Sequence, residues 1–127
     1  LFRSATLRSE MIFHDPVIVS QACNPPHVAV ELIVSEDLFF LQGHFPGRPV
    51  LPGVVQVHWA ILLAESSLSL NPIFLGLEAL KFHRIIKPGA RLELALEHVE
   101  SSGKLKFSYT SELGLHSQGR ALFGKAS

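Results

Sequence analysis

A long apolar helix is the feature that most restricts how this chain can fold. Residues 54–70 contain neither Gly nor Pro, and between positions 54 and 65 only Gln56, His58 and Glu65 are polar. A helix that is apolar on nearly all sides has to be covered by other structure. The apolar run falls short of the roughly 20 residues that a membrane span requires. We therefore expect a core helix that is wrapped by other structure.

The segments on either side of the helix have the pattern of half-buried strands. Leu92, Leu94 and Leu96 alternate with charged residues, which is typical of an antiparallel strand with one buried face. Six strands are predicted: residues 6–13, 28–34, 77–86, 91–97, 105–110 and 118–125. Turn residues separate them at Asn24-Pro25-Pro26, Lys87-Pro88-Gly89 and Ser101-Ser102-Gly103. This α+β order predicts a hot-dog fold, an antiparallel sheet wrapped around one long central helix.

Length and composition indicate one globular domain. A chain of 127 residues suits a single domain, so we assign residues 1–127 to one unit. The 11 basic and 11 acidic residues balance, which favours a small ligand or a protein partner over nucleic acid. Cys23 is the single cysteine, which excludes an intrachain disulfide and favours a cytoplasmic location. Position 1 is Leu rather than Met, which predicts a piece of a longer protein.

Residues 35–52 interrupt every periodic pattern and form a predicted loop, rich in Gly and Pro. A loop of this length in a compact domain usually has a function. Residues 43–54, which read GHFPGRPVLPGV, closely resemble the signature of the 3-hydroxyacyl-(acyl carrier protein) dehydratases. Residues 52–60, PGVVQVHWA, are most similar to an aryl-polyene-type, dehydratase-like branch of that family, except at the family's acid. The resemblance extends from about residue 35 to the C-terminus.

The resemblance implies reversible dehydration of a 3-hydroxyacyl thioester to the trans-2-enoyl thioester, in fatty-acid or polyene-type lipid biosynthesis. It makes His44 the general base at C2, a role that suits an imidazole titrating near neutrality. It also makes the Gly53 N–H the group that polarises the thioester carbonyl at the helix N-terminus. It implies an acyl carrier protein or CoA thioester as substrate, no cofactor, and at least a homodimer. The alternative for His44 is a loop histidine that hydrogen-bonds the backbone.

The chain departs from the family at His58, fourteen residues after His44, where the family has an Asp or Glu on the central helix. A protonated histidine could act as the acid if a partner held its charge. Glu65, seven residues further along the helix, is a candidate partner or substitute acid. The alternatives are a packed histidine in a degenerate site and a solvated glutamate.

Further candidates for substrate binding are Phe45, Pro46, Gly47, Trp59 and Phe82. Such aromatic residues, with Phe39 and Phe40, either line an acyl tunnel or form plain core. Basic residues are candidates for contacts with an acyl carrier protein: Arg48, Lys81, Arg84, Lys87 and Arg91. The histidines lack the spacing of metal ligands, so we predict no metal site.

Two other functions stay open at the sequence level. A hot-dog thioesterase would share the fold, although the GHFPG signature argues against it. A non-catalytic module that binds acyl thioesters would follow if His58 marks a lost acid. The sequence leaves open the acyl chain length, the carrier, and whether an acyl-activating domain precedes Leu1.

Overall fold

The computed structural model describes residues 15–36, 50–70 and 73–124. Within these residues one helix and six strands form a single architecture. In chain order they are β1 (Val17–Asn24), β2 (His27–Ile33), α1 (Gly53–Ser67), β3 (Phe74–Phe82), β4 (Arg91–Val99), β5 (Lys104–Ser111) and β6 (Gly114–Phe123). No helix in this described part has the length and apolar character that a membrane span needs.

The six strands form one sheet in the order β1-β2-β4-β5-β6-β3, and all neighbours are antiparallel. β1 and β3 are therefore its two edges. The predicted alternation is confirmed in β4, where Leu92, Leu94 and Leu96 are buried and Glu93 is exposed. The buried row faces α1 and forms the core. The α+β hot-dog architecture predicted from the sequence is thus confirmed.

The helix is covered on one face rather than on nearly all sides. The buried side chains are Val55, Gln56, Trp59, Ala60, Leu63 and Ala64. On another face Val54 is 63% exposed and Leu62 is 39% exposed. The described residues of this chain therefore cover one face of the helix and leave Val54 and Leu62 on the other face exposed. The sheet supplies a single covering layer, so the other side of the helix is available to further structure.

The predicted strand positions need correction at several points. The strand predicted at residues 6–13 lies outside the described residues, whereas β1 occupies Val17–Asn24 and begins with three β-branched residues. The turn at Pro25–Pro26 joins it to β2 as predicted. β3 spans Phe74–Phe82 rather than residues 77–86, since its pairing with β6 ends at Phe82, opposite Ser117. β6 begins earlier than predicted, since a short turn at residues 112–113 brings Gly114 directly opposite Ser111.

Candidate active site

The N-terminus of α1 presents backbone N–H groups that the helix itself does not use. Val55 N–H and Gln56 N–H both donate to Pro52 O, at 3.1 and 3.2 Å. The N–H groups of Gly53 and Val54 precede these bonds, as the first groups of a helix do. The first turn contains no acidic residue, so no carboxylate there offsets the positive end of the helix dipole. This end of the helix suits a carbonyl oxygen that develops negative charge.

Phe82, the last residue of β3, packs directly against this helix end. A Cβ atom built on Gly53 would lie 2.8 Å from Cζ of the Phe82 ring and 3.0 Å from Cε1. These separations are shorter than ordinary van der Waals contact, so a side chain at residue 53 would displace the Phe82 ring from this position. The Phe82 side chain remains 52% exposed. Gly53 and Phe82 therefore form a small surface in which an apolar ring borders free backbone donors.

A buried polar network lies beneath the same turn of the helix. Ser117 is paired across the sheet with both Phe82 and Tyr109. Ser117 Oγ donates to Gln56 Oε1 at 2.6 Å, and Tyr109 OH donates to Gln56 O at 2.7 Å. Gln56 Nε2 in turn donates to Leu51 O at 3.0 Å. Burial raises the pKa of Tyr109 far above its usual range, so the phenol stays protonated and acts as a donor.

His58 lies on the side of α1 that the sheet leaves partly open. It is half-buried and falls one turn after Val54 and one turn before Leu62, both of which are exposed apolar residues. Glu65 is exposed. Seven helical residues correspond to an axial rise of about 10 Å, so the helix does not bring Glu65 and His58 of one chain together. A charge partner for a protonated His58 therefore has to come from another residue.

The family model described as ApeI-like, ApeI dehydratase, matches residues 20–120. The chain belongs to the ApeI-like dehydratase family. Two curated relatives are 3-hydroxyacyl-[acyl-carrier-protein] dehydratases named FabZ. That of Novosphingobium aromaticivorans is 35% identical over 107 residues, covering 76% of this chain and 67% of the relative. That of Caldicellulosiruptor bescii is 36% identical over 73 residues, covering 52% of each protein. The chain thus spans about half to two thirds of these two relatives.

Solved structures support the same family. The dehydratase heterocomplex ApeI:P from Xenorhabdus doucetiae matches with a TM-score of 0.81 and 27% identity, covering 88% of this chain and 100% of that one. An uncharacterized protein from Erwinia carotovora subsp. atroseptica matches with a TM-score of 0.78 and 32% identity, covering 87% and 97%. Mouse thioesterase superfamily member 2, at 14% identity and a TM-score of 0.64, covering 95% of this chain and 86% of that one, shares only the fold.

The structure of this member of the ApeI-like family brings some of the predicted site residues together. Gly53 and Phe82 are in contact, whereas Trp59 is 1% exposed and belongs to the core beneath the helix. His58 lies on the open side of the helix. Seven predicted residues fall outside the described part of the chain: Phe39, Phe40, His44, Phe45, Pro46, Gly47 and Arg48. Their roles stay predictions, as does the catalytic role of His58.

Arg48 lies outside the described residues, and the other predicted carrier-binding residues lie in β3, in β4 and in the segment between them. Lys81, Arg84 and Lys87 are exposed, while Arg91 forms an ion pair with Glu31. That pair lowers the pKa of Glu31 and raises the pKa of Arg91. Arg91 is thus partly neutralised, and the exposed cations near residues 81–87 are the better candidates for a carrier contact. Among residues 15–36, 50–70 and 73–124 no group of three acidic, His or Cys side chains could hold a metal ion.

Sequence reasoning missed the network around Gln56. In the sequence Gln56 is a polar interruption of the helix, and no local pattern marks Ser117 or Tyr109 as its partners. The useful signal was Gln56 itself, since an amide on a helix that has to be buried needs hydrogen-bond partners. Tyr109 and Ser117 lie more than 50 residues away from Gln56 in the sequence, so the strand register is required to identify them.

Proposed function

We propose that this chain catalyses the reversible dehydration of a 3-hydroxyacyl thioester to the trans-2-enoyl thioester. The observation that carries the proposal is the helix N-terminus at Gly53, whose free backbone donors are bordered by the exposed ring of Phe82. Membership in the ApeI-like dehydratase family supports the reaction type. The substrate is an acyl group on an acyl carrier protein or on CoA, since the named FabZ relatives act on acyl-carrier-protein thioesters.

In the proposed mechanism the thioester carbonyl accepts a hydrogen bond from Gly53 N–H. His44 removes a proton from C2, and the resulting negative charge on the carbonyl oxygen is stabilised by the helix N-terminus. The C2 electron pair forms the double bond as the C3–O bond breaks. The departing hydroxide takes a proton, so that one water leaves for each enoyl thioester formed. His58 as an imidazolium, or an acid from a second subunit, supplies that proton.

We further propose that the unit over residues 1–127 acts as a homodimer or higher homo-oligomer. Two apolar surfaces support this assembly. One is the open side of α1, with Val54 and Leu62. The other is the edge strand β3, where Phe74 is 49% exposed and Leu75 is 63% exposed. Exposed apolar edge strands are normally paired or covered, since their unpaired backbone groups invite association.

A heteromeric assembly is the competing arrangement. The Xenorhabdus doucetiae structure is named a heterocomplex, and in a homodimer of this chain both helices carry His58 where the family has an acid. A partner of the same fold with Asp or Glu at that position would complete one site with the base from this chain. Co-purification with such a partner, followed by turnover of the complex and of each protein alone, distinguishes the two arrangements.

A non-catalytic module that binds acyl thioesters is the second candidate function. Its supporting observation is His58 at the position of the family's acid. A thioesterase has no comparable support, because mouse thioesterase superfamily member 2 shares only the fold. We also propose a cytoplasmic location, which the single free cysteine, Cys23, favours.

The test is incubation of the purified protein with a 3-hydroxyacyl thioester on acyl carrier protein and on CoA, with enoyl thioester and free thiol followed together. Enoyl product that is lost in His44→Ala and retained in His27→Ala supports the dehydratase, because His27 is exposed at the start of β2. Free thiol without enoyl product indicates a thioesterase. If the protein binds the acyl carrier protein but shows no turnover, either alone or together with a homologous partner, it is a non-catalytic binding module.

A further inference from the structure

Gln56 joins the first turn of α1 to the segment before the helix and to the sheet. Its Nε2–H donates to Leu51 O, and its Oε1 accepts from Ser117 Oγ. Gln56 is 4% exposed and Ser117 is 1% exposed. Because both ends of this buried amide are hydrogen-bonded, the side chain is held in one orientation. It therefore fixes the separation between Leu51 and β6.

The backbone around Gln56 is held by further hydrogen bonds. Tyr109 OH donates to Gln56 O at 2.7 Å from the floor of the sheet. Leu51 N–H donates to Ile86 O at 2.8 Å, so both the N–H and the C=O of Leu51 are hydrogen-bonded. Pro52 and Gly53 lie between these two anchored residues. Any shift of Gln56 or Leu51 is consequently transmitted to the N–H of Gly53.

Packing alone does not require a glutamine at this position. A buried amide is costly unless it is fully hydrogen-bonded, and an unbranched apolar residue of similar size would fill the same space without partners. The amide of Gln56 makes two directional contacts that an apolar side chain cannot make. Its donor end bonds Leu51 before the helix, and its acceptor end bonds Ser117 in β6. The polarity of Gln56 thus serves the geometry of the helix N-terminus.

We propose that Gln56 is a positioning residue, which holds the Gly53 N–H at the place where the thioester carbonyl accepts its hydrogen bond. This inference rests on the proposed dehydratase function. Gln56 itself is buried beneath the turn and acts through Leu51, Ser117 and Tyr109. A displacement of about 1 Å in a reacting geometry can cost on the order of 100-fold in rate, so small movements of this turn matter.

The test compares Gln56→Met with Gln21→Met. Gln21 Nε2 donates to Ser67 Oγ at 2.7 Å, so it joins β1 to the opposite end of the same helix and is a matched control. We expect Gln56→Met to lower kcat by about 10- to 100-fold with little change in KM, and Gln21→Met to leave both unchanged. The effects of Gln56→Met and Ser117→Ala should not add, because both break the same bond. Unchanged kcat in Gln56→Met overturns the proposal.

A second measurement is independent of turnover. Amide hydrogen exchange should become faster at Leu51, Val55 and Gln56, whose N–H groups are hydrogen-bonded around this turn, in Gln56→Met and stay unchanged there in Gln21→Met. If the wild type shows no dehydration, the proposed function fails, and this exchange pattern still decides whether Gln56 orders the helix N-terminus. Uniformly faster exchange in both variants overturns the positioning role. Ser117→Ala carries the same test if Gln56→Met does not fold.

Discussion

Phe82 occupies the space that a side chain at Gly53 would need, since its Cζ lies 2.8 Å from a Cβ built there. The ring is half exposed and lies at the end of its strand, so it can move aside when a methyl group is introduced. A side chain at residue 53 should therefore change the geometry of the helix N-terminus more than it changes the free energy of unfolding.

Gly53→Ala should lower turnover by about 10-fold or more while changing the free energy of unfolding by less than about 1 kcal/mol, because the gain from reduced unfolded-state freedom offsets the crowding. Thermal unfolding and steady-state kinetics measure the two effects. In the double variant with Phe82→Ala the crowding is relieved, so part of the activity should return if ring displacement is the cause. Wild-type kinetics in Gly53→Ala would contradict the placement of the carbonyl at this turn.

His58→Ala should lower turnover by roughly 100-fold or more, the usual contribution of a general acid, if His58 supplies the proton to the leaving hydroxyl. His58→Glu should retain activity, since it introduces the family's type of acid at the same position. Leu62→Ala changes a neighbouring residue on the same side of the helix and is the control for altered packing. Equal turnover in the wild type and His58→Ala would show that the acid comes from elsewhere.

Glu78→Gln should reduce stability at neutral pH and flatten its dependence on acid. Lys104 Nζ and Arg120 Nε lie 2.9 and 2.7 Å from Glu78 Oε2, and these hydrogen bonds lower the pKa of Glu78 below its ordinary 4.5. The contribution of ionised Glu78 to the free energy of unfolding is fully present above that ordinary pKa. It is lost as the pH falls through the lowered pKa of the folded state. Urea unfolding between pH 7 and pH 3 measures it, with Glu93→Gln as an exposed control. Parallel pH profiles for the wild type and Glu78→Gln would refute this role.

Leu75→Lys should weaken self-association if β3 pairs with a second subunit. Leu75 is 63% exposed on the edge strand, and a lysine there opposes edge-to-edge pairing. Leu113 is 62% exposed in the turn before β6, so Leu113→Lys introduces the same charge away from the edge. Analytical ultracentrifugation should show a lower mass for Leu75→Lys alone. The same mass in both variants would mean that assembly uses another surface.

The fold could be predicted where a segment has one dominant pattern. β4 and β5 alternate cleanly, and α1 is free of breakers, so their positions were close to those observed. β1 was missed because its second half is polar and exposed, as an edge strand permits. The incomplete cover of α1 could not be predicted from the composition of the helix, since an apolar surface does not specify whether the same chain or another one buries it.

The site was predictable in part for a similar reason. A glycine at the start of a helix indicates available backbone donors, and Gly53 could be selected on that basis together with the family signature. The contact of Gly53 with Phe82 and the bonds of Gln56 with Tyr109 and Ser117 depend on strand register, because they join residues 29 to 61 positions apart. Local patterns contain no information on which rows of a curved sheet lie beneath a given helical turn.

Trp59 is the single tryptophan of the chain, and it is buried on the face of α1 that packs against the sheet. Its indole fluorescence therefore reports on one contact, the packing of α1 against the sheet. Loss of that contact should shift its fluorescence emission to longer wavelength. Because the remaining residues contribute no second indole, the signal needs no deconvolution, and every substitution discussed above can be followed without an attached label.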